Sequence, residues 1–214
     1  LIEFEKLTKI IPAEYHGEQL AKLRTDAAFL QNEMDKACDI TSRWFEKSPS
    51  QYWQKSLIFC DALDSNWDKV DFGLTLLLEL DAEDEIFFNL IQKLSDRVEV
   101  TFELTVDKLV PLYVAMLRAN KHELPKLDSK IPGPWLLPNY IQDPGVEHST
   151  RLSLAERAAK LGVIDIKTLA EVYRSAELDE NEIDKAISIA LNEKTPRARM
   201  LLYRATLRHE SNFG

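Results

Sequence analysis

The stretch Glu33-Met34-Asp35-Lys36-Ala37 recurs 33 residues later as Asn66-Trp67-Asp68-Lys69-Val70. In the same register Phe45 meets Leu78, Pro49 meets Ala82, Ser50-Gln51 meets Glu83-Asp84, and Leu57-Ile58 meets Leu90-Ile91. A period of this length marks supersecondary units that bury their apolar faces on one another. From Glu18 to Lys47, Leu20, Leu23, Ala27, Leu30, Met34, Ala37 and Trp44 fall at spacings of three, four and seven, a helical pattern. These 30 residues are long for one globular helix, so a break is expected near Gln31–Glu33, giving two antiparallel helices. Ser48-Pro49-Ser50 ends the second, and a new helix begins near Gln51. The predicted fold class is all-α: stacked antiparallel helical hairpins, an α-solenoid.

Composition agrees. Only 6 of 214 residues are glycine. An all-β chain needs many φ > 0 turns and a nucleotide binder needs a glycine-rich loop, and neither is available here. Hydrophobic residues at 45% and charged residues at 29% suit a protein with a real core. The net charge of −9 repels nucleic acid and anionic membrane surfaces. The basic run Arg197, Arg199, Arg204 and Arg208 reads better as a solvated face near a helix C-terminus than as a nucleic-acid site. The most apolar stretch, Leu74 to Leu78, is far short of the roughly 18 residues that membrane insertion needs. Residue 1 is Leu rather than Met, so the chain is expected to be trimmed.

Over residues 18–95 the chain resembles the tetratricopeptide-repeat family. There an aromatic-Asp-Glu/Lys-Ala segment opens the second helix of each repeat, small and bulky residues follow at fixed spacing, and a proline closes it. Trp67-Asp68-Lys69-Val70 with Leu74 and Leu77 matches that helix, and Met34-Asp35-Lys36-Ala37 with Pro49 matches the one before. The departures are Leu57-Ile58 for the family's Leu-Gly, Gln54 and Asp61 at aromatic positions, Thr41 at a bulky one, and Ala82 for the closing proline. The resemblance implies a scaffold whose concave face binds a protein or peptide; it assigns no groove residues.

Outside that region the pattern is mixed. Leu1 to Ile11 suits a short amphipathic helix stopped by Pro12. Val98, Val100, Phe102 and Leu104 alternate as a strand would, but no partner strand is apparent, which favours a linker into a helix around Asp107–Asn120. Asp107-Lys108-Leu109 and Asp184-Lys185-Ala186 echo the Asp-Lys-small opening out of register. Residues 121–146 carry Pro125, Pro132, Pro134, Pro138 and Pro144 and read as one long loop. Trp135, Leu136, Leu137, Tyr140 and Ile141 imply that this loop packs back onto the solenoid. Helices follow at Ser149–Leu161, Lys167–Arg174, Glu180–Leu191 and Thr195–Arg208, with Gly162 as a C′ glycine and Asp179 and Thr195 as N-caps. The segments are therefore 1–97, 98–146 and 147–214, the last stacked on the same solenoid.

Cys38 and Cys60, the 2 cysteines, lie 11 residues before and 11 after Pro49. In an antiparallel hairpin, equal distances from the turn put both side chains at one height, about 16 Å from the bend. That symmetry favours a disulfide, and with it a periplasmic or extracellular location. Two buried free thiols in a cytoplasmic protein are the alternative.

Catalytic signals are few. Arg208-His209-Glu210-Ser211-Asn212-Phe213 resembles the Arg-Gln-Glu-Ser-x-Phe motif of peptidoglycan lytic transglycosylases, where the glutamate is the general acid/base and a helical superhelix precedes the catalytic domain. The resemblance implies that acid role for Glu210. The family's Gly-Leu-Met-Gln signature does not follow, and an unburied glutamate has no means of raising its pKa, so no catalytic residue is assigned. Gly162-Val163-Ile164-Asp165 with Thr168-Leu169 is similar to helical peptidoglycan-binding domains, and a capped helix start accounts for it equally. His16, His122, His148 and His209 have no paired ligand spacing, so no metal site is expected. No nucleophile elbow or phosphate loop occurs, and no cofactor is expected. The favoured function is a helical-repeat scaffold binding a protein or peptide in the cell envelope. The alternative is the superhelical portion of a lytic transglycosylase that lacks its catalytic domain.

Overall fold

A computed structural model describes residues 10–11, 16–80, 84–95, 103–127 and 131–211. The Leu1–Ile11 helix apart from its last two residues, Pro12, Ala82, the alternation from Val98 to Phe102, and Asn212-Phe213 lie outside the described residues. The described residues contain no strand. Contacts divide the chain into two compact units, Leu1–Lys130 and Ile131–Gly214. The division falls within the 98–146 segment, whose two parts go to different units.

In the first unit the helices are α1 (Glu18–Gln31), α2 (Met34–Phe45), α3 (Gln51–Leu63), α4 (Trp67–Glu79), α5 (Glu85–Leu94) and α6 (Pro111–Ala119). The sequence period is present in the backbone. α1 and α3 start at Glu18 and Gln51, α2 and α4 at Met34 and Trp67, 33 residues apart in each case. The intervening turns match as well. Asn32 and Ser65 both take the left-handed conformation, with φ of 63° and 60°. Each turn closes by two bonds: Asn32 and Glu33 N–H donate to Phe29 and Ala28 carbonyls, and Ser65 and Asn66 N–H to those of Ala62 and Asp61. This C-cap satisfies the orphan carbonyls of α1 and α3 and reverses the chain into an antiparallel partner.

Packing runs in sequence, α1 on α2, α2 on α3 and α3 on α4. The α3–α4 seam explains one departure from the repeat pattern. A Cβ on Gly73 would stand 2.6 Å from Ile58 Cγ1, so the missing side chain on α4 admits the large one on α3. One period earlier the corresponding positions are Thr25 and Ile40, with the bulky residue on the second helix instead. Close packing is kept while the small residue changes sides.

The series does not stay open. The helix expected around Asp107–Asn120 is a 3-10 turn at Val106–Lys108 followed by α6, which begins only at Pro111 in its first turn. All six residues from Leu112 to Leu117 are buried. α6 packs on α1, α5 and α3. The Arg118 guanidinium donates to the carbonyls of Phe29 and Leu30 at 3.2 and 3.4 Å, capping the C-terminus of α1 with a cation. In an open repeat array each unit touches only its neighbours; here α6 returns to α1.

The second unit holds α7 (Leu137–Gln142), α8 (His148–Lys160), α9 (Ile166–Arg174), α10 (Glu180–Asp184), α11 (Ala186–Asn192) and α12 (Pro196–Ser211). Two expectations are corrected here. The proline-rich segment is not one long loop: a 3-10 turn at Pro134–Leu136 runs into α7, with Pro134 and Pro138 in first turns, where a missing N–H costs nothing. Its Leu136, Leu137, Tyr140 and Ile141 are buried, and α7 packs on α8. The helix expected over Glu180–Leu191 is two, separated at Lys185, and both pack on α12. Gly162 (φ 69°) ends α8 with the same two-bond C-cap, to Ala159 and Ala158. Asp165, Asp179 and Thr195 cap the following helices through Thr168, Asn181 and Ala198 N–H. The core gathers Leu152, Tyr173, Ala176 and Met200.

Candidate functional site

Cys38 on α2 and Cys60 on α3 form a disulfide, with Cα atoms 5.6 Å apart, so neither thiol is free. It joins the second helix of the first hairpin to the first helix of the next. Closing this loop stabilises the stack by about 3 kcal/mol in the chain-entropy model.

Beside the bridge lies an aromatic cluster. Trp53 on α3 is fully buried, stacks on Trp44 of α2 with ring centroids 6.2 Å apart, and donates its indole N–H to Glu18 of α1 at 3.0 Å. Its neighbour Tyr52 turns the other way and donates its hydroxyl to Asp26 Oδ1 at 2.7 Å. Asp26 and Tyr52 form one wall of an open cavity of about 360 Å³, lined also by Gln51 and Lys55 of α3 and by Val110 to Tyr113 at the start of α6.

The floor beside the cavity is held by Asp84, the residue preceding α5. Its carboxylate caps that helix by accepting from Phe87 N–H at 3.1 Å, pairs with Lys55 Nζ at 2.6 Å and accepts from the Tyr113 hydroxyl. Burial pushes Asp84 up, but the Lys55, Tyr113 and Phe87 donors outweigh it and hold the carboxyl below its ordinary value. Asp26 differs. Burial dominates there, and its carboxyl is raised despite the Tyr52 bond and the Lys22 charge. These residues come from α1, α3, the α5 cap and α6, and sequence reasoning named none of them as a site. The 33-residue register that sets Asp84 under Gln51, a helix start, was the one signal that could have drawn attention to it.

A second surface is α4. Val70 and Leu77 are buried against the unit, whereas Phe72 and Leu80 are each 67% exposed and Leu76 is half-buried. The spacing 72, 76, 80 sets three large apolar side chains on one helix face, with Asp68 and Glu79 exposed beside them.

The arginines read as a basic patch are committed internally. Arg197 pairs with Glu182, Arg199 with Glu156 and Arg208 with Asp184, and Arg204 donates to the Arg174 carbonyl at 2.6 Å. They fasten α12 to α8, α9 and α10 while Arg197, Arg199 and Arg208 stay exposed, so the face is solvated and also carries ion pairs between helices. Glu156, only 6% exposed, also accepts from the Tyr173 hydroxyl at 2.8 Å. Burial raises Glu156, but Arg199 and Tyr173 more than reverse this and hold it below the usual carboxylate range. Burial and that carboxylate push the Tyr173 hydroxyl up to about 12.

Glu210 lies in the last turn of α12, and the side chains of His209, Glu210 and Ser211 lie outside the described residues. Among the described residues no group of three His, Cys, Asp or Glu is placed to hold a metal ion. Among them also, no helix is long and apolar enough to cross a membrane.

Fold and surfaces together define an all-α protein whose adjacent helices pack as a series of hairpins. No protein-family model, no curated protein and no solved structure matches the chain.

Proposed function

We propose that the chain is a tetratricopeptide-like scaffold that binds a protein partner in an oxidising compartment, a periplasm or an extracellular space. The apolar stripe of Phe72 and Leu76 on α4 and Leu80 at its C-cap, exposed at 72 and 80 and half-buried at 76, carries this reading. Large side chains aligned on one face of a charged protein mark an interaction surface. The acids at its border favour an amphipathic partner helix with a basic rim. Because α6 packs on α1, α3 and α5, the first helices of the hairpins, the outer face of α4 is the better site than a concave groove. The disulfide supports the compartment.

The test is site-specific photo-cross-linking in the native host, with a benzophenone amino acid at Leu76 or at Lys185 of the second unit. One discrete adduct from position 76, absent from position 185 and lost on Phe72→Asp, is expected. An adduct formed equally from both positions, or none from either, contradicts the reading. A homodimeric adduct would make a second copy of the chain the partner and would contradict the basic-helix assignment.

A further inference from the structure

We propose that the cavity between α1, α3 and the start of α6 is a receptor for a single alkylammonium or guanidinium group, the head of a lysine or arginine side chain or of a free amine. The first argument is charge. Asp26 and Lys55 line the cavity together with the phenols Tyr52 and Tyr113. Lys55 is already neutralised, with Nζ 2.6 Å from Asp84 and both side chains largely buried. Lys22, one turn from Asp26 on α1, is bound to Glu18 at 3.0 Å and lies over the Tyr52 ring. Asp26 has only the Tyr52 hydroxyl on Oδ1, and its Oδ2 has no partner among the described residues. The one uncompensated charge facing the cavity is therefore negative.

The second argument is shape. Two tyrosine rings with Val110 and Leu112 give an apolar passage for a methylene chain, and the carboxylate receives its charged end. Tyrosine faces attract cations as well, and about 360 Å³ exceeds what a lysine or arginine side chain fills. Burial raises the partly buried Asp26 carboxyl, which has no cation in direct contact and feels Lys22 only through space, whereas its neighbours Glu18 and Asp84 are both held low by their donors. The tyrosines are pushed up and stay neutral throughout the acid and neutral range. Of the groups around the cavity, Asp26 is thus the first to gain a proton on acidification, and binding weakens as pH falls through its pKa.

The assignment does not depend on the α4 surface. The probes are n-butylammonium and Nα-acetyl-arginine methylamide, against neutral 1-pentanol and Nα-acetyl-norleucine methylamide. Each is titrated into the full chain by heteronuclear NMR at neutral pH and again near pH 4. Saturable shifts at Tyr52 and Tyr113 with at least a tenfold preference for the cations are expected, with that preference lost in Asp26→Asn. Preference for butylammonium over the arginine derivative would point to free amines, and the reverse to a peptide-borne group; either supports the assignment. If Asp26→Asn fails to fold, Val110→Trp, which fills the cavity from a partly exposed position, is expected to abolish binding while Asp26 remains. Equal binding of the neutral analogues, no saturable binding of either cation, or binding unchanged by both variants overturns it. Such failure with the α4 adduct intact would leave the scaffold reading standing.

Discussion

Glu156 shows how much of the second unit rests on one side chain. It is a carboxylate in an apolar setting that survives because Arg199 and Tyr173 both donate to it. Removing one member of such a group leaves the others unpaired, so Glu156→Gln should cost about 1–2 kcal/mol; Arg199 remains 43% exposed, which keeps the figure low. The pH dependence has a definite sign. The folded pKa lies below the unfolded value of about 4.3, so this stabilisation is complete above that pH and is lost as pH falls through the folded pKa. Urea denaturation at pH 7 and pH 3 should show a gap between wild type and variant that closes in acid. An equal gap at both pH values would contradict the assignment. Sequence showed Glu156 and Arg199 only as charges on helices, since their pairing depends on how α8 and α12 meet.

At the scale of helices, the pattern was most legible where local rules and the repeat agreed. The starts of α1 to α4, the break at Asn32 and the caps at Gly162, Asp179 and Thr195 follow from residues adjacent in sequence. The return of α6 does not. Six apolar residues from Leu112 to Leu117 carry no periodicity, so nothing in them selects a face, and their partner α1 lies some 80 residues earlier. The prolines misled because their number was weighed and not their positions, two of which are helix first turns. The α3–α4 seam permits a prediction at this scale. Gly73→Ala gains helix propensity but drives a methyl into Ile58, whose branched side chain is stiff in a helix; the net cost should be about 1 kcal/mol. Ile58→Ala alone should cost about 3 kcal/mol and distinctly less in the Gly73→Ala background. A double-mutant cycle in guanidinium checks this, and strict additivity would mean that the two residues do not share the contact.

For the whole molecule, adjacent hairpins are pinned by a covalent bridge; the compartment that keeps it oxidised and the partner-binding surfaces on the first unit are proposals. The fold class and the cysteine pairing could be read from the period and from symmetry about Pro49. The cavity could not, since its walls come from elements separated by more than 80 residues. Everything said about compartment depends on the bridge existing in the cell. The direct measurement is intact mass after alkylation under denaturing conditions, with and without reductant, on protein from its native host. The account predicts 2 added alkyl groups only after reduction, matching the 2 cysteines. Two groups added without reduction would show Cys38 and Cys60 as free thiols and contradict both the bridge and the oxidising compartment.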